Sequence, residues 1–416
     1  MKIVKAAFSK GISAFFFDDQ RAIKKGAPHD GFVYVGEPVT QGFKQIRQAG
    51  QSISVLLMLE DGQIACGDCA AVQYSGAGGR DPLFLAEEYV PYLEKHLRPR
   101  LEGLEIGTFR DMAREFSELV IDGRPLHSAI RYGLTQALLD ARAKADRVMP
   151  CEVICREYQL PVVAERVPIF GQCGDNRYEN VDKMILKGVE VLPHGLINNV
   201  EEKLGRQGEK LREYVRWLAR RVKQLRVSES YRPDLHIDVY GTIGQIFNND
   251  MNKVADYVAS LEPDADGLQL YIEGPVDVEE KQRQIESLKK ITDRLRSVSS
   301  PVKIVADEWC NTFEDVRDFT DAKACHMVQI KTPDLGGIHN IVESVIYCRK
   351  NGMEAYQGGT CNETDVTAKI CVHLAVAARA ERMLAKPGMG FDEGFTIVNN
   401  ELERILATLR LRNGVK

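Results

Sequence analysis

Four short apolar segments decide the fold: LHIDVY (residues 235–240), LQLYIE (268–273), VKIVAD (302–307) and HMVQIK (326–331). Three further segments repeat the pattern: VPIFGQ (167–172), GVEVLPHG (188–195) and MEAYQGG (353–359). Stretches with helical apolar spacing separate them, of which residues 201–225 are the longest. This alternation predicts an α/β fold of βα units with a parallel sheet. With a short eighth strand near residues 384–386, the units fill the roughly 250 residues of a (β/α)8 TIM-type barrel. An open doubly wound sheet is the alternative, because the order of strands does not show closure.

The chain before the barrel is organised differently. Residues 52–74 are predicted to form a β-hairpin with its turn at Asp61-Gly62, and helical spacing follows. Strands followed by helices indicate an α+β domain. We predict two domains: residues 1–160 as an N-terminal α+β capping domain, and residues 161–416 as the C-terminal barrel that carries the active site.

Composition narrows the class of protein. The 55 basic and 60 acidic residues give a net charge of −5, which argues against a nucleic-acid-binding protein with a dominant basic face. An apolar content of 44% argues against disorder. No stretch has the ~20 apolar residues of a membrane span. Ten cysteines without a secretory signal indicate the reducing cytoplasm, and we expect the C-x-x-C pair Cys66 and Cys69 to be packed thiols.

Polar side chains stand where the predicted strands end, and a parallel barrel places its active site at these carboxyl ends. Seven residues occupy such positions: Gln172, His194, Asp238, Glu273, Asp307, Lys331 and Thr360. Side chains alternate along a strand, so the neighbours Ile237, Ile272 and Ile304 point to the opposite face. The apolar residues can therefore pack on helices while the polar ones point into the barrel.

Asp238, Glu273 and Asp307 end three successive strands, each about one βα unit apart. Three converging carboxylates repel one another, and a hard divalent cation with oxygen ligands relieves this repulsion. We predict an Mg²⁺ site on these three side chains. The alternative is that they are separate solvated acids or helix N-caps.

Lys331 follows on the next strand and is predicted to act as a general base, with its pKa lowered by burial or by the cation. The alternative is a salt bridge to one of the carboxylates. His194 ends the second strand, across the barrel mouth from the sixth. A base on each side of a bound substrate could take a proton from either face of a carbon. The other seven histidines, including His236, are predicted to be structural.

Neutral donors lie at or just beyond the strand ends, and such groups suit a carboxylate of a substrate. We assign this role to Gln172, Gln329, Thr360 and Cys361. Residues 73–82 are glycine-rich but lie outside any βαβ unit, so we expect a mobile lid over the barrel mouth rather than a nucleotide loop.

Three carboxylates on barrel strands three, four and five, a lysine on strand six and an α+β domain in front resemble the enolase superfamily. The resemblance implies abstraction of a proton α to a carboxylate, with Mg²⁺ stabilising the enolate. The muconate-lactonising and mandelate racemase groups carry K-x-K at the second strand. This chain has KMILKGVEVLPHG (183–195) there instead, with His194.

Longer segments resemble the methylaspartate ammonia-lyase family over nearly the whole chain. They are FDDQRAIKKGAPHDGF (17–32), CAAVQYSGAGGRDPLFLA (69–86), LPHGLINNVEEKLG (192–205), HIDVYGTIG (236–244), VADEWCNT (305–312), HMVQIKTPDLGG (326–337), YQGGTCNET (356–364) and LAKPGMG (384–390). The resemblance implies reversible elimination of ammonia from L-threo-3-methylaspartate to give mesaconate, with Mg²⁺ and a monovalent activator such as K⁺. It also implies a homodimer, small-molecule partners only, and neither nucleic-acid nor membrane binding.

The resemblance also assigns roles to individual residues. Lys331 matches the base for the threo substrate, and His194 matches the base for the erythro epimer. The metal ligands match Asp238, Glu273 and Asp307. The substrate contacts match Gln172, Gln329, Thr360 and Cys361, with Gln73 near the leaving amine and with Phe170, Tyr356 and Leu384 around the alkyl group.

Two other functions stay open from the sequence. One is a different enolase-superfamily reaction, such as an acid-sugar dehydratase or an epimerase. It would need polar groups along a polyol, whereas Phe170, Tyr356 and Leu384 offer apolar surface. The other is a non-catalytic barrel that binds metal and serves as a scaffold.

Overall fold

The structure is a computed structural model that describes residues 1–77 and 79–413. Its first part, here called the cap, runs from Ile3 to Glu157. The cap contains β1 (Ile3–Asp18), α1 (Gln20–Lys24), β2 (His29–Asp30), β3 (Val33–Tyr34), β4 (Arg47–Leu59), β5 (Ile64–Ala70), α2 (Ala86–His96), α3 (Arg98–Leu101), α4 (Phe109–Ser117), β6 (Val120–Ile121), β7 (Arg124–Pro125), α5 (Ser128–Asp146) and α6 (Pro150–Glu157).

The cap is built on an antiparallel sheet in the order β1-β4-β5. The predicted hairpin is confirmed as β4 and β5, and Gly62 in its turn has φ +84°. The long strand β1 was not predicted from the sequence. Buried and exposed residues do not alternate regularly along it, and its register with β4 shifts between Ile12 and Phe16.

The second part is a closed barrel of eight parallel strands, in the order β10-β11-β12-β13-β14-β15-β8-β9. Its elements are β8 (Ile169–Phe170), α7 (Glu179–Leu186), β9 (Val191–His194), α8 (Glu209–Leu225), β10 (Asp234–Asp238), α9 (Thr242–Ile246), α10 (Met251–Ala259), β11 (Leu270–Glu273), α11 (Lys281–Ser297), β12 (Lys303–Ala306), α12 (Phe313–Asp321), β13 (Met327–Ile330), α13 (Ile338–Lys350), β14 (Glu354–Gln357), α14 (Asp365–Ala378), β15 (Arg382–Leu384) and α15 (Phe391–Asn413). The predicted barrel is confirmed, and its eighth strand is β15. The alternative prediction of an open doubly wound sheet is wrong.

One predicted helix is interrupted. Residues 201–225 were predicted as a single helical stretch, but a π-helical turn over Val200–Leu204 precedes α8. Between the two lie Gly205 and Gly208, with φ of +86° and +77°. These left-handed conformations end the first turn, because the right-handed helical ladder does not continue through them.

The alternation of side chains along the barrel strands is as predicted. Ile237, Ile272 and Ile304 belong to the large core between the barrel and its helices. The barrel interior holds a separate apolar cluster, to which seven strands contribute one residue each: Phe170, Val191, Tyr271, Val305, Met327, Tyr356 and Leu384. Strand β10 contributes His236, whose ring stacks between Phe170 and Tyr271. This layer closes the barrel below the polar residues of the mouth.

A buried ion pair ties the cap to the barrel. The carboxylate of Glu363, in the loop after β14, accepts from Lys386 Nζ at 3.0 Å and from Thr332 Oγ1 at 2.7 Å. Its other oxygen accepts from Tyr132 of α5 at 3.0 Å. Because Glu363 and Lys386 are both nearly fully buried, these bonds fix the loop that carries Thr360 between the two parts of the chain.

All ten cysteines are free thiols, as expected for packed residues. Burial raises the pKa of Cys66 to about 11, so the thiol is un-ionised at neutral pH. None of the helices that the structure describes has the length and apolar character of a membrane span.

Helix α5 lies on strand β5 at unusually close range, and this contact gives a stability prediction. A Cβ on Gly133 would lie 2.2 Å from the backbone nitrogen of Cys69. The intrinsic helix preference for alanine is worth about 1 kcal/mol, but overpacking costs about 1–3 kcal/mol or more. We expect Gly133→Ala to lower the free energy of unfolding by about 2 kcal/mol, measured by urea denaturation.

Gly107→Ala is the matched control, because nothing lies within 4 Å of the Cβ it would add. We expect its free energy of unfolding to stay within about 0.5 kcal/mol of the parent. A Gly133→Ala protein as stable as the parent would show that the helix and strand can separate without cost.

Candidate active site

A cavity of about 820 Å³ opens at the carboxyl ends of the barrel strands, between the barrel and the cap. Ten of the thirteen predicted site residues line it: Gln73, Gln172, His194, Asp238, Asp307, Gln329, Lys331, Thr360, Cys361 and Leu384. The other three are fully buried beside it: Glu273, Phe170 and Tyr356. The barrel thus brings together residues that are more than 300 positions apart in the sequence.

The three predicted metal ligands lie at the ends of adjacent strands, where Asp238 and Glu273 are buried and the Asp307 side chain is 12% exposed. Burial, and after it the charge of Asp307, raise the pKa of Asp238 well above its usual value. Burial and the charge of Asp238 do the same to the pKa of Glu273, and burial raises the pKa of Asp307. The three pKa shifts reflect the free-energy cost of holding desolvated carboxylates that repel one another close together. A cation between them would remove that cost.

The donor atoms fit a hard divalent cation. One ligand atom from each of His194, Asp238 and Glu273 lies within 4.8 Å of the others. Glu273 Oε2 and Asp307 Oδ1 each have one nitrogen close by, His236 Nε2 at 2.8 Å and Lys331 Nζ at 3.0 Å. The positions bring His194, rather than the predicted ligand Asp307, into this group with Asp238 and Glu273. Mg²⁺ prefers oxygen, which favours the three carboxylates and leaves His194 free.

Glu273 is surrounded by donors that hold its carboxylate in place. Tyr356 Oη donates to Oε1 at 2.7 Å, and Gln329 Nε2 donates to the same atom at 2.8 Å. His236 Nε2 lies 2.8 Å from Oε2. Arg382 Nη1 lies 3.4 Å from His236 Nδ1, so Nδ1 is the acceptor and the ring proton is on Nε2, facing Glu273.

The sequence predicted a structural role for His236 and did not identify Arg382. Burial, and then Arg382, lower the pKa of His236 well below its usual value, so the ring is neutral. His236 is two residues before Asp238 on the same strand, which is the signal that would have placed it inside the barrel.

Lys331 forms the salt bridge that the sequence left as the alternative to a base. Its Nζ lies 3.0 Å from Asp307 Oδ1 and 3.4 Å from Glu308 Oε2. Burial opposes the charge, but these two carboxylates outweigh it and raise the pKa of Lys331 above its usual value. The expected lowering of the pKa is therefore not present in this arrangement. Glu308 was not identified from the sequence, although it directly follows Asp307.

His194 lies opposite Lys331. It ends β9, and β13 leads into Lys331 on the far side of the barrel, four strands away in either direction. Burial lowers the pKa of His194 to about 4, so the imidazole is neutral at pH 7 and can accept a proton. Its Nε2 lies 3.8 Å from Asp238 Oδ2. The two predicted bases therefore flank the carboxylates.

The predicted substrate contacts differ in what they offer to the cavity. Gln172 Oε1 accepts from the backbone of Gly174 at 2.6 Å, which leaves its amide N–H groups for a ligand. Thr360 Oγ1 is buried without a partner in the described chain. Burial raises the pKa of Cys361 to about 12, so its thiol is a neutral donor. These groups are suited to bind a carboxylate.

The predicted alkyl contacts form one apolar layer. Phe170, Tyr356 and Leu384 belong to the cluster inside the barrel, and only Leu384 also lines the cavity. The Tyr356 hydroxyl bonds both Glu273 and Gln329. Tyr356 therefore holds a predicted metal ligand as well as offering apolar surface.

The cap covers one side of the cavity. Gln73, Tyr74 and Arg80 of the glycine-rich stretch line it, which agrees with a position over the mouth. Gly78, within the predicted lid, lies outside the described residues. Three further residues of the cap line the cavity and were not identified from the sequence. They are Phe15 of β1, Phe32 between β2 and β3, and Arg47 of β4.

Comparison with known families accounts for both parts of the chain. Residues 1–159 match the family description "Methylaspartate ammonia-lyase N-terminus", and residues 161–411 match "Methylaspartate ammonia-lyase C-terminus". The chain belongs to the methylaspartate ammonia-lyase family. It is therefore an enzyme, a lyase, and the non-catalytic scaffold is not supported.

Solved structures of relatives share this architecture over the full length. The methylaspartate ammonia-lyase of Citrobacter amalonaticus, solved with (2S,3S)-3-methylaspartic acid, is 64% identical, covers 99% of this chain and 100% of its own, and has a TM-score of 0.97. The β-methylaspartase of Clostridium tetanomorphum, solved as a Mg complex, is 57% identical with the same coverage and TM-score. The L-Ala-D/L-Glu epimerase of Bacillus subtilis, at 16% identity, 95% and 91% coverage and a TM-score of 0.63, shares only the fold.

The burial of three carboxylates predicts that Mg²⁺ stabilises the protein. A ligand present at a hundred times its Kd, and bound only by the folded state, adds about 2.7 kcal/mol. We expect Mg²⁺ to raise the Tm of the EDTA-treated protein, and Glu273→Gln to reduce that increase strongly, because it removes one negative ligand.

Asp264→Asn is the matched control. Asp264 is also a buried carboxylate, paired with Arg212 and Arg216 away from the cavity. Its variant should keep the full Mg²⁺ response. An undiminished response in Glu273→Gln would argue against the predicted ligand set.

Proposed function

We propose that the chain eliminates ammonia from L-threo-3-methylaspartate to give mesaconate, reversibly. The observation that carries this proposal is the placement of Lys331 and His194 on opposite sides of the barrel mouth, with the carboxylates of Asp238 and Glu273 between them. A substrate held there presents one face to each base. The relative solved with (2S,3S)-3-methylaspartic acid supports the choice of substrate.

The hydrogen on C3 is α to a carboxylate, and its removal places a second negative charge on that group. A bound Mg²⁺ would supply positive charge that stabilises this developing charge and that offsets the carboxylates which now raise the pKa of Lys331. We propose Asp238, Glu273 and Asp307 as its ligands. In its neutral form, Lys331 Nζ would take the C3 proton of the threo substrate, and the electron pair left on the substrate would form the C2–C3 double bond as ammonia leaves from C2.

His194 is the proposed base for the erythro epimer, whose C3 hydrogen faces the other side. Its neutral imidazole is ready to accept a proton at neutral pH. Gln172, Gln329, Thr360 and Cys361 are the proposed donors to the substrate carboxylates. Leu384, backed by Phe170 and Tyr356, would pack on the methyl group, and this apolar layer disfavours the polyol substrate of an acid-sugar dehydratase.

Further features of the proposal come from the family. They are activation by K⁺, assembly as a homodimer, a cytoplasmic location, and a domain boundary at residues 160 and 161. K⁺ activation is tested by replacing K⁺ with a large organic cation in the assay, and the dimer by sedimentation of the purified protein.

The reaction is tested directly by mixing the purified protein with Mg²⁺, K⁺ and threo-3-methylaspartate. We expect mesaconate to form, followed by the absorbance of its conjugated diacid, and EDTA to stop the reaction. Absence of product, with metal shown to be bound, would contradict the proposed reaction. Turnover that persists without divalent metal would contradict the metal site.

The two-base arrangement predicts opposite effects of two substitutions. Lys331→Ala should lower kcat for the threo substrate by at least about 100-fold and spare part of the activity on the erythro epimer. His194→Ala should do the reverse. Both variants are assayed with both epimers, so that each is the control for the other. Equal loss of both activities in both variants would show that the two side chains do not act on separate faces.

A further inference from the structure

Gln73 lines the cavity from the cap side. Both its backbone and its side chain are hydrogen-bonded to Asp18, the last residue of strand β1. Its backbone carbonyl accepts from the Asp18 N–H at 3.0 Å. Its side-chain Nε2 donates to Asp18 Oδ2 at 2.7 Å. In the described chain, no protein group donates to the other amide atom, Oε1.

The chemistry of Asp18 fixes which end of the amide is held. An ionised carboxylate only accepts hydrogen bonds, so the atom of Gln73 that faces it must be the NH₂ group. The free end of Gln73 is therefore a carbonyl oxygen. The assignment of the nitrogen and oxygen of the amide rests on the hydrogen-bond partner, Asp18, because the two ends of the amide have nearly the same shape.

Asp18 is itself held rigidly. Arg47 Nε donates to Oδ1 at 2.7 Å and Arg47 Nη2 to Oδ2 at 2.8 Å, a two-point contact that orients the carboxylate. The guanidinium packs against the rings of Phe32 and Tyr34, at 4.5 and 4.9 Å from their centroids. Asp18 is only 1% exposed, so these bonds are protected from water.

Gln172 shows the opposite polarity in the same cavity. Its carbonyl is occupied by the Gly174 N–H, so it offers donors. The cavity therefore has one glutamine set to donate and one set to accept. Donors are suited to the carboxylates of an amino diacid, whereas a carbonyl oxygen is suited to its ammonium group, which only donates.

We propose that Asp18 is a positioning residue that sets Gln73 as the hydrogen-bond acceptor for the substrate amine and for incoming ammonia. The inference rests on the proposed function, since it concerns the group that this reaction removes. Asp18 does not touch the substrate and acts through Gln73. Without it, the amide is free to turn and present its NH₂ group, which repels an ammonium.

The test is a double-mutant cycle on the reverse reaction, addition of ammonia to mesaconate by the Mg²⁺-loaded enzyme. Asp18→Ala should raise KM for ammonia about tenfold, the effect of losing one charge-assisted hydrogen bond, and change KM for mesaconate less than about twofold. In a Gln73→Ala background, Asp18→Ala should have no further effect on KM for ammonia.

The double-mutant cycle distinguishes an effect on the orientation of the Gln73 amide from an effect of the charge on Arg47. Asp18→Ala also leaves Arg47 without its anion, and a repulsive Arg47 would raise KM for ammonia whether or not Gln73 is present. Asp264→Ala is the matched control, because it removes another buried carboxylate that pairs with arginine, and it should leave both KM values unchanged. If Asp18→Ala does not fold, Asp18→Asn keeps one acceptor and should raise KM for ammonia about threefold, again only when Gln73 is present.

The inference would be overturned by an equal rise in both KM values, or by the same rise in the Gln73→Ala background. An unchanged KM for ammonia in either Asp18 variant would overturn it as well. A parent enzyme that adds no ammonia to mesaconate would overturn the proposed function and this inference with it. An active parent with an unshifted variant overturns this inference alone.

Discussion

The repulsion among three desolvated carboxylates is the constraint on which the site depends. Asp238, Glu273 and Asp307 lie at the ends of adjacent strands, and burial raises the pKa of each. A fold keeps such a cluster only when neighbouring groups or a bound cation compensate for it. Around Glu273 the protein supplies Tyr356, Gln329 and His236. What remains uncompensated is the space between the carboxylates, which suits Mg²⁺.

The surroundings of Lys331 and His194, the two proposed bases, leave them in different charge states. Asp307 and Glu308 hold Lys331 as an ammonium, whereas burial holds His194 as a neutral imidazole. The two side chains therefore differ in protonation. Lys331 must lose a proton before it can act as a base, whereas the neutral His194 can accept one directly. Charge delivered to the carboxylates acts on Lys331 through Asp307, its partner at 3.0 Å. A cation held by Asp307, as proposed, would therefore act on Lys331 through this direct contact, whereas His194 is already neutral.

The sequence predicted the parts of the site that repeat with the strands. Asp238, Glu273, Asp307 and Lys331 follow from strand parity and order, because a closed barrel brings consecutive strand ends together. Strand β1 was missed because its burial is irregular, and the glycines at 205 and 208 break a stretch whose apolar spacing alone predicted one helix. Asp18 and Arg47 were missed for a different reason. Their proposed role depends on where the cap sits on the barrel, and no periodicity in the chain records that contact.

Because the cap contacts the mouth of the barrel, the two parts of the chain contribute different residues to the cavity. The barrel provides the carboxylates and the proposed bases, and the fold of barrel and cap together extends to an epimerase at 16% identity. The cap reaches the cavity through Gln73 and Arg47, and it holds the loop of Thr360 through Tyr132 and Glu363. Proton abstraction α to a carboxylate needs only the barrel groups. Under the proposed reaction, release of the amine depends on recognition at the cap side of the cavity, where Gln73 is the proposed acceptor. A different leaving group would then call for different residues in the cap, while the carboxylates of the barrel could stay the same.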